Sequence, residues 1–188
     1  SLAEAKVVER KSVSDMGGAE SAYAPDWIKL QDGRTAIEKI LPPDEALNEL
    51  WAYEAAKFLG VNVPETVIVS KKRGGEWATI RQLWAEGTIA AEMPLESRNR
   101  ALRDPAAAIL DFIMNQSDRH ESNWLIDKDG QPVLIDNGNT GYPDRVHILE
   151  INSDSDFISR VVGESIPKML YPALDKIVGI QGFPPAMR

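Results

Sequence analysis

The chain has 188 residues, 43 % hydrophobic and 27 % charged, with a formal net charge of −8 and no cysteine. That length and balance suit one globular domain or one small two-lobed unit with a real core. An acidic chain argues against nucleic acid or an anionic membrane as main partner, and the absence of thiols excludes disulfide staples and cysteine chemistry, which fits a cytoplasmic location.

Residues 5–13 allow a short helix or a strand. Gly17-Gly18, set among polar residues, reads as a flexible turn. It lacks the full G-x-G-x-x-G and G-x-x-x-x-G-K-[ST] patterns of phosphate-binding loops. Trp27-Ile28-Lys29-Leu30 and Thr35-Ala36-Ile37-Glu38-Lys39-Ile40-Leu41 flank an Asp32-Gly33 turn, a strong hairpin signal. Lys39 shares a strand face with Thr35, Ile37 and Leu41. A lysine there is either a snorkelling edge residue or a cation that grips phosphates, with Lys29 on the partner strand as the fallback. Pro42-Pro43-Asp44 then predicts a helix start, and Gly60 its stop. One face of that helix carries Leu47, Leu50, Trp51 and Phe58, another the small Ala46, Ala52 and Ala56 with Tyr53. Apolar on most sides, it is expected to be packed on most sides. Periodicity puts Glu54 amid the large apolar face. A strand-like run at 61–70, an exposed basic turn at 71–76 and a strand at 77–84 follow.

From Gly87 the pattern turns helical, with alanine-rich segments at 89–93 and 99–114 and a helix start at Asp104-Pro105. Asp111 stands inside the strongly apolar run 106–114. A buried carboxylate needs partners, and backbone amides or Arg119 are the expected ones. The most informative stretch comes next. Asp118 opens Asp-Arg-His, Asn123 follows five positions later, and Asp136 stands at the end of an apolar run in Ile-Asp-Asn-Gly. Between them, Trp124-Leu125-Ile126 and Pro132-Val133-Leu134-Ile135 read as a hairpin around Asp127-Lys128-Asp129-Gly130, which would make Asn123 and Asp136 neighbours. Phosphoryl transfer asks for this set: one Asp to take the proton of an attacking hydroxyl, then an amide oxygen and a second carboxylate that meet at a hard cation. The plain alternative is three turn or cap residues in a polar loop. A calcium loop fits poorly, because no Glu stands at its twelfth position. Residues 156–162 and 166–177 look like two closing helices.

Residues 115–123 together with Ile135-Asp136-Asn137-Gly138 resemble the catalytic segment of the atypical kinases related to phosphatidylinositol kinases, a superfamily that includes the HipA-like bacterial Ser/Thr kinases. The resemblance runs from about Gly17 to Tyr142. It implies an α+β, minimal two-lobed protein-kinase-like fold, with an antiparallel-sheet N-lobe at 1–84 and a mainly helical C-lobe at 85–188. Kinase-fold chains are usually longer, so a compact version or a fragment is expected. By this resemblance Asp118 is the catalytic base, Asn123 and Asp136 hold Mg²⁺ or Mn²⁺, and His120 braces the loop. Lys39 grips the ATP phosphates and Glu49 orients it. Gly17 and Gly18 resemble the short phosphate-covering loop of HipA-like proteins. Gln82, Leu83, Trp84 and Ala85 stand where the backbone would meet adenine. The implied activity is ATP-dependent phosphorylation of a Ser or Thr in a protein substrate. The alternatives are a nucleotide-binding pseudokinase acting as an interaction module, or a phosphatidylinositol or small-molecule kinase. Ordinary protein kinases place His before the catalytic Asp and Phe after the metal-binding one; here the latter position is Asn137.

Overall fold

The structure, a computed structural model, describes residues 1–14, 23–71, 76–114, 116, 118–138 and 155–161. Gly17 and Gly18, most of the basic turn after residue 71 and the second closing helix lie outside the described residues.

Five strands form one antiparallel sheet in the order β1-β2-β3-β5-β4: β1 (Val7–Ser12), β2 (Asp26–Leu30), β3 (Thr35–Leu41), β4 (Thr66–Lys71) and β5 (Ala78–Leu83). The expected hairpin pairs β2 with β3, and Gly33 takes the positive φ of +89° that its turn requires. The segment left open as helix or strand is β1, an edge strand on β2. β3 and β5 lie in the middle of the sheet, so Lys39 sits on an interior strand opposite Ile80. Leu2, Ile28, Leu30 and Ala36 form one buried cluster of the sheet. A second comprises Leu41, Ala46, Ala78 and Ile80 and brings in the helix that follows β3.

That helix, α1 (Pro43–Leu59), has a Pro in its first turn with Asp44 and Glu45 beside it. It ends at Gly60 in the left-handed region, φ +74°, whose N–H donates to the Ala56 carbonyl. Its inward face differs from the expectation. Ala46, Glu49, Ala52 and Ala56 are buried, whereas Leu47, Trp51 and Phe58 are 43, 36 and 53 % exposed. Small side chains let a helix approach its neighbours closely, and α1 packs against β3, β4, β5 and the later helix at Pro105–Met114. The bulky face is left outward.

The remaining elements are β6 (Thr88–Ile89), a 3-10 turn (Ala90–Glu92), α2 (Leu95–Ala101), α3 (Pro105–Met114), β7 (Trp124–Ile126), β8 (Pro132–Leu134) and α4 (Asp156–Val161). Asp104 caps α3, its Oδ1 accepting from the Ala106 N–H at 2.8 Å. Ser155 caps α4 through the Ile158 N–H. A separate three-stranded sheet runs β6-β7-β8. Its β7–β8 hairpin closes on Asp127, whose Oδ1 accepts from the N–H groups of Asp129 and Gln131, with Gly130 at φ +78°. Trp124, Leu134, Phe157, Leu110 and Ala107 belong to the largest buried cluster, which reaches back to Ala56 of α1. The same side of α1 therefore meets both sheet and helices, and the sites proposed on β3, α1 and the β8 exit converge there. Among the described residues, no helix is long and apolar enough to cross a membrane.

Candidate active site

Lys39 is the centre of the site. Its Nζ lies 3.2 Å from Glu49 Oε1 and 3.2 Å from Asp136 Oδ1. The lysine side chain is 11 % exposed and that of Glu49 is wholly buried. Burial pulls the ammonium pKa down, but the carboxylates of Glu49 and Asp136 outweigh it and leave the value raised, so Lys39 stays cationic. Glu54, the other candidate partner on α1, lies out of this site and pairs with Lys57 at 2.7 Å, both half-exposed.

The loop after α3 is built around Arg119, which is 1 % exposed. It makes the expected ion pair with Asp111 at 3.2 Å. Its Nη1 also donates to the backbone carbonyls of Asn123 and Ile135, the two residues that bound the β7–β8 hairpin. Ile135 N–H returns a bond to the Asn123 carbonyl at 3.2 Å. One planar guanidinium thus holds the hairpin mouth closed, with Asn123 at one end and Asp136 one residue beyond the other. Burial pushes the Asp111 carboxyl above the usual carboxylate range, against the opposing pull of Arg119 and Ser155. Ser155 donates to its Oδ2 at 2.8 Å.

Asp118 and His120 face solvent at the loop's tip, with side chains 44 and 55 % exposed and His120 Nε2 3.6 Å from Asp118 Oδ1. Buried Gln116 accepts the Asp118 N–H at 3.1 Å. Asn123 Nδ2 donates to the Asp118 carbonyl at 2.6 Å and lies 3.2 Å from His120 Nε2. His120 Nδ1 accepts the Ser122 N–H, which leaves the ring proton on Nε2, and the ring braces the loop through Nδ1. The bond to the Asp118 carbonyl uses the donor end of the Asn123 amide. Asp136, with φ +55°, adopts a left-handed conformation that few non-glycine residues take, and its carboxylate is 54 % exposed.

Among the described residues no cluster of three or more His, Asp or Glu side chains could cage a metal by itself. One carboxylate and one amide oxygen, both hard donors, suit Mg²⁺, which takes a couple of ligands from protein and the rest from phosphate and water. Asn123 and Asp136 fit that requirement.

The segment expected to meet adenine is more committed internally than its sequence suggests. Gln82 is 1 % exposed and its amide donates to Thr66 Oγ1. The Leu83 N–H donates to the Glu65 carbonyl and the Trp84 N–H to the Thr35 carbonyl. Backbone bonds to Glu65 and Thr35, which no side-chain pattern reports, occupy the N–H groups of Leu83 and Trp84. A cavity of about 900 Å³ opens beside this segment, lined in part by Pro64, Leu83, Trp84, Ala85 and Val133. Neither Lys39 nor Asp136 lines it, so it lies apart from the charged centre.

Two contributors escape simple sequence reading. Asn137 bonds both Glu49 and Arg119, and Asn48 donates to the Gly138 carbonyl at 2.9 Å. The signal for the first was an amide standing where ordinary protein kinases carry Phe.

No family model matches the chain, and no curated protein matches it. Among solved structures it is similar to the Helicobacter pylori proinflammatory kinase CtkA, with a TM-score of 0.50 and 13 % identity over 90 % of this chain and 67 % of that one. At that identity the likeness is one of fold: antiparallel sheet and helices in a kinase-like arrangement.

Proposed function

We propose that the protein is an ATP-dependent phosphotransferase of the atypical kinase type, acting on a Ser or Thr hydroxyl of a protein substrate, with residues 1–84 and 85–188 as its two lobes. One observation carries the reading. A buried Lys–Glu pair, Lys39–Glu49, meets the carboxylate of Asp136 beside a loop that offers Asp118 and Asn123. Lys39 binds the α- and β-phosphates and Glu49 fixes its orientation. Asp118 positions the acceptor hydroxyl and takes its proton as the hydroxyl oxygen bonds to the γ-phosphorus and the bond to the β–γ bridging oxygen breaks, releasing ADP. Asn123 and Asp136 would hold Mg²⁺ or Mn²⁺, which neutralises phosphate charge when bound. His120 braces the loop through its bond with the Ser122 N–H. The motif resemblance favours the HipA-like and phosphatidylinositol-kinase-related group, and the acidic chain favours a protein over a lipid acceptor.

The test is γ-phosphate transfer from labelled ATP to the protein itself or to a lysate, with Mg²⁺ or Mn²⁺, alongside Asp118→Ala and Asp136→Ala. Label that both substitutions abolish supports the reading. Nucleotide-dependent thermal stabilisation without label would point to a nucleotide-binding interaction module, and neither signal would sink the assignment of the site.

A further inference from the structure

The Lys39–Glu49 pair and the hairpin clamp of Arg119 are joined by a single side chain. Asn137 is 1 % exposed. Its Oδ1 accepts from Arg119 Nη2, and its Nδ2 lies 3.4 Å from Glu49 Oε2 as donor. Glu49 gives its other oxygen to Lys39, and Arg119 gives its other nitrogens to Asp111, the Asn123 carbonyl and the Ile135 carbonyl. The polarity of this chain is fixed. A guanidinium only donates and a carboxylate only accepts, so whatever stands between them must accept at one end and donate at the other. A primary amide of the right length does both. The next residue repeats the stitch, since the Gly138 carbonyl accepts from Asn48 of α1. In an interior of low dielectric such a chain is stiff when every member is satisfied and costly when one is not.

We infer that Asn137 is a positioning residue: it ties the seating of α1, and with it the Lys39–Glu49 pair, to the closure of the catalytic hairpin by Arg119. A shift of α1 pulls on Asn137 and through it on Arg119, and loosening of the hairpin mouth pulls on Glu49. The link is polar and directional, so it tolerates neither an apolar isostere nor a reversed dipole.

The test reverses the dipole. Asn137→Asp sets a second carboxylate against Glu49, and Glu49→Gln sets one amide donor against another. In the double variant the new glutamine offers its oxygen to Lys39 and its NH₂ to the new aspartate, which still accepts from Arg119. Hydrogen exchange of the full chain reads the link without any activity. Each single change is expected to speed exchange at the Asn123 and Ile135 amides at least tenfold, and the double to return within about threefold of wild type. Unchanged exchange in the Glu49→Gln chain, or a double no better than the worse single, overturns the link. Asn137→Ser, too short to span both partners, replaces Asn137→Asp should that variant not fold, and the same two amides are read. The catalytic half of the inference rests on the phosphotransfer reading. Label transfer at saturating ATP is expected to fall at least tenfold in each single and to be higher in the double than in Glu49→Gln alone. A residue that only stabilised the fold would lower Tm and leave that rate unchanged at permissive temperature. A wild type that transfers no label counts against the proposed function alone, because the exchange result still decides the link.

Discussion

Lys39 Nζ and Asp136 Oδ1 stand 3.2 Å apart although 97 positions separate them in the chain. The contact closes a triangle of charge with Glu49 behind the lysine. Glu49 is wholly buried, so its stability depends on the ammonium more than Asp136's does, with half its carboxylate in water. Lys39→Met should therefore act twice. Leaving the Glu49 carboxylate without its counter-charge is expected to cost about 3 kcal/mol in urea unfolding. Label transfer from ATP should fall at least a hundredfold, since the phosphate grip is lost. A stable Lys39→Met chain with normal transfer would contradict both the geometry and the proposed role.

The two glutamates of α1 give a sharper contrast. Glu49 lies against Lys39 and Asn137, whereas Glu54 makes an exposed pair with Lys57 one turn on. Exposed i,i+3 pairs contribute a few tenths of a kcal/mol at most. Glu54→Gln is expected to shift stability by less than about 0.5 kcal/mol and to leave transfer unchanged. Glu49→Gln should lower transfer at least tenfold. Comparable losses in the two variants would remove Glu49 from its proposed place.

Much of this was legible in the sequence, for local reasons. The Asp32-Gly33 and Asp127–Gly130 turns, the Pro42-Pro43 start and the Gly60 stop are decided by backbone chemistry within a few residues, and each element appears where those residues put it. The apposition of Asn123 and Ile135 follows from the hairpin once both strands are recognised. The inward face of α1 was not legible, because a hydrophobic pattern counts apolar area and says nothing about how closely a helix must approach its neighbours. Alanines won over Trp51 and Phe58 on that ground. The bonding of the Leu83 and Trp84 N–H groups was not legible for a different reason: which backbone N–H a strand uses depends on its partner, and the bonds of Leu83 to Glu65 and Trp84 to Thr35 are long-range facts.

The N-terminal sheet carries its own buried charge, and it sets an acid limb. Glu38 accepts from Arg81 at 2.7 and 3.0 Å and also pairs with Arg10. Burial pushes the Glu38 carboxyl up, but the two arginines overcome this and hold it below the usual glutamate value of 4.5. A depressed carboxylate contributes stability that is present above its unfolded pKa and lost as pH falls through its folded one. Glu38→Gln should thus destabilise the protein near neutral pH, by about 3 kcal/mol for a broken buried pair. The gap from wild type should narrow progressively as the pH drops below 4.5. Urea midpoints across pH 3 to 7 measure this, and a gap that stays constant would mean that Glu38 titrates alike in the folded and unfolded chains.

Gly87 makes the last test, and it is steric. A Cβ there would lie 2.9 Å from the Ile126 carbonyl oxygen and 3.0 Å from Leu125 Cβ. The first of these atoms is backbone in β7, which pairs with β6 directly after Gly87 through Thr88 and Ile126. It has no rotamer with which to retreat, so the alanine must push the two strands apart. Overpacking of that kind costs about 1–3 kcal/mol. Gly33 is the control: a Cβ there meets nothing within 4 Å, and its φ of +89° leaves only the local left-handed cost, about 1 kcal/mol. Gly87→Ala is expected to lower the urea midpoint more than Gly33→Ala. Equal effects of the two glycine substitutions would show that β6 can give way at Gly87, and that the close approach of these strands does not constrain the position.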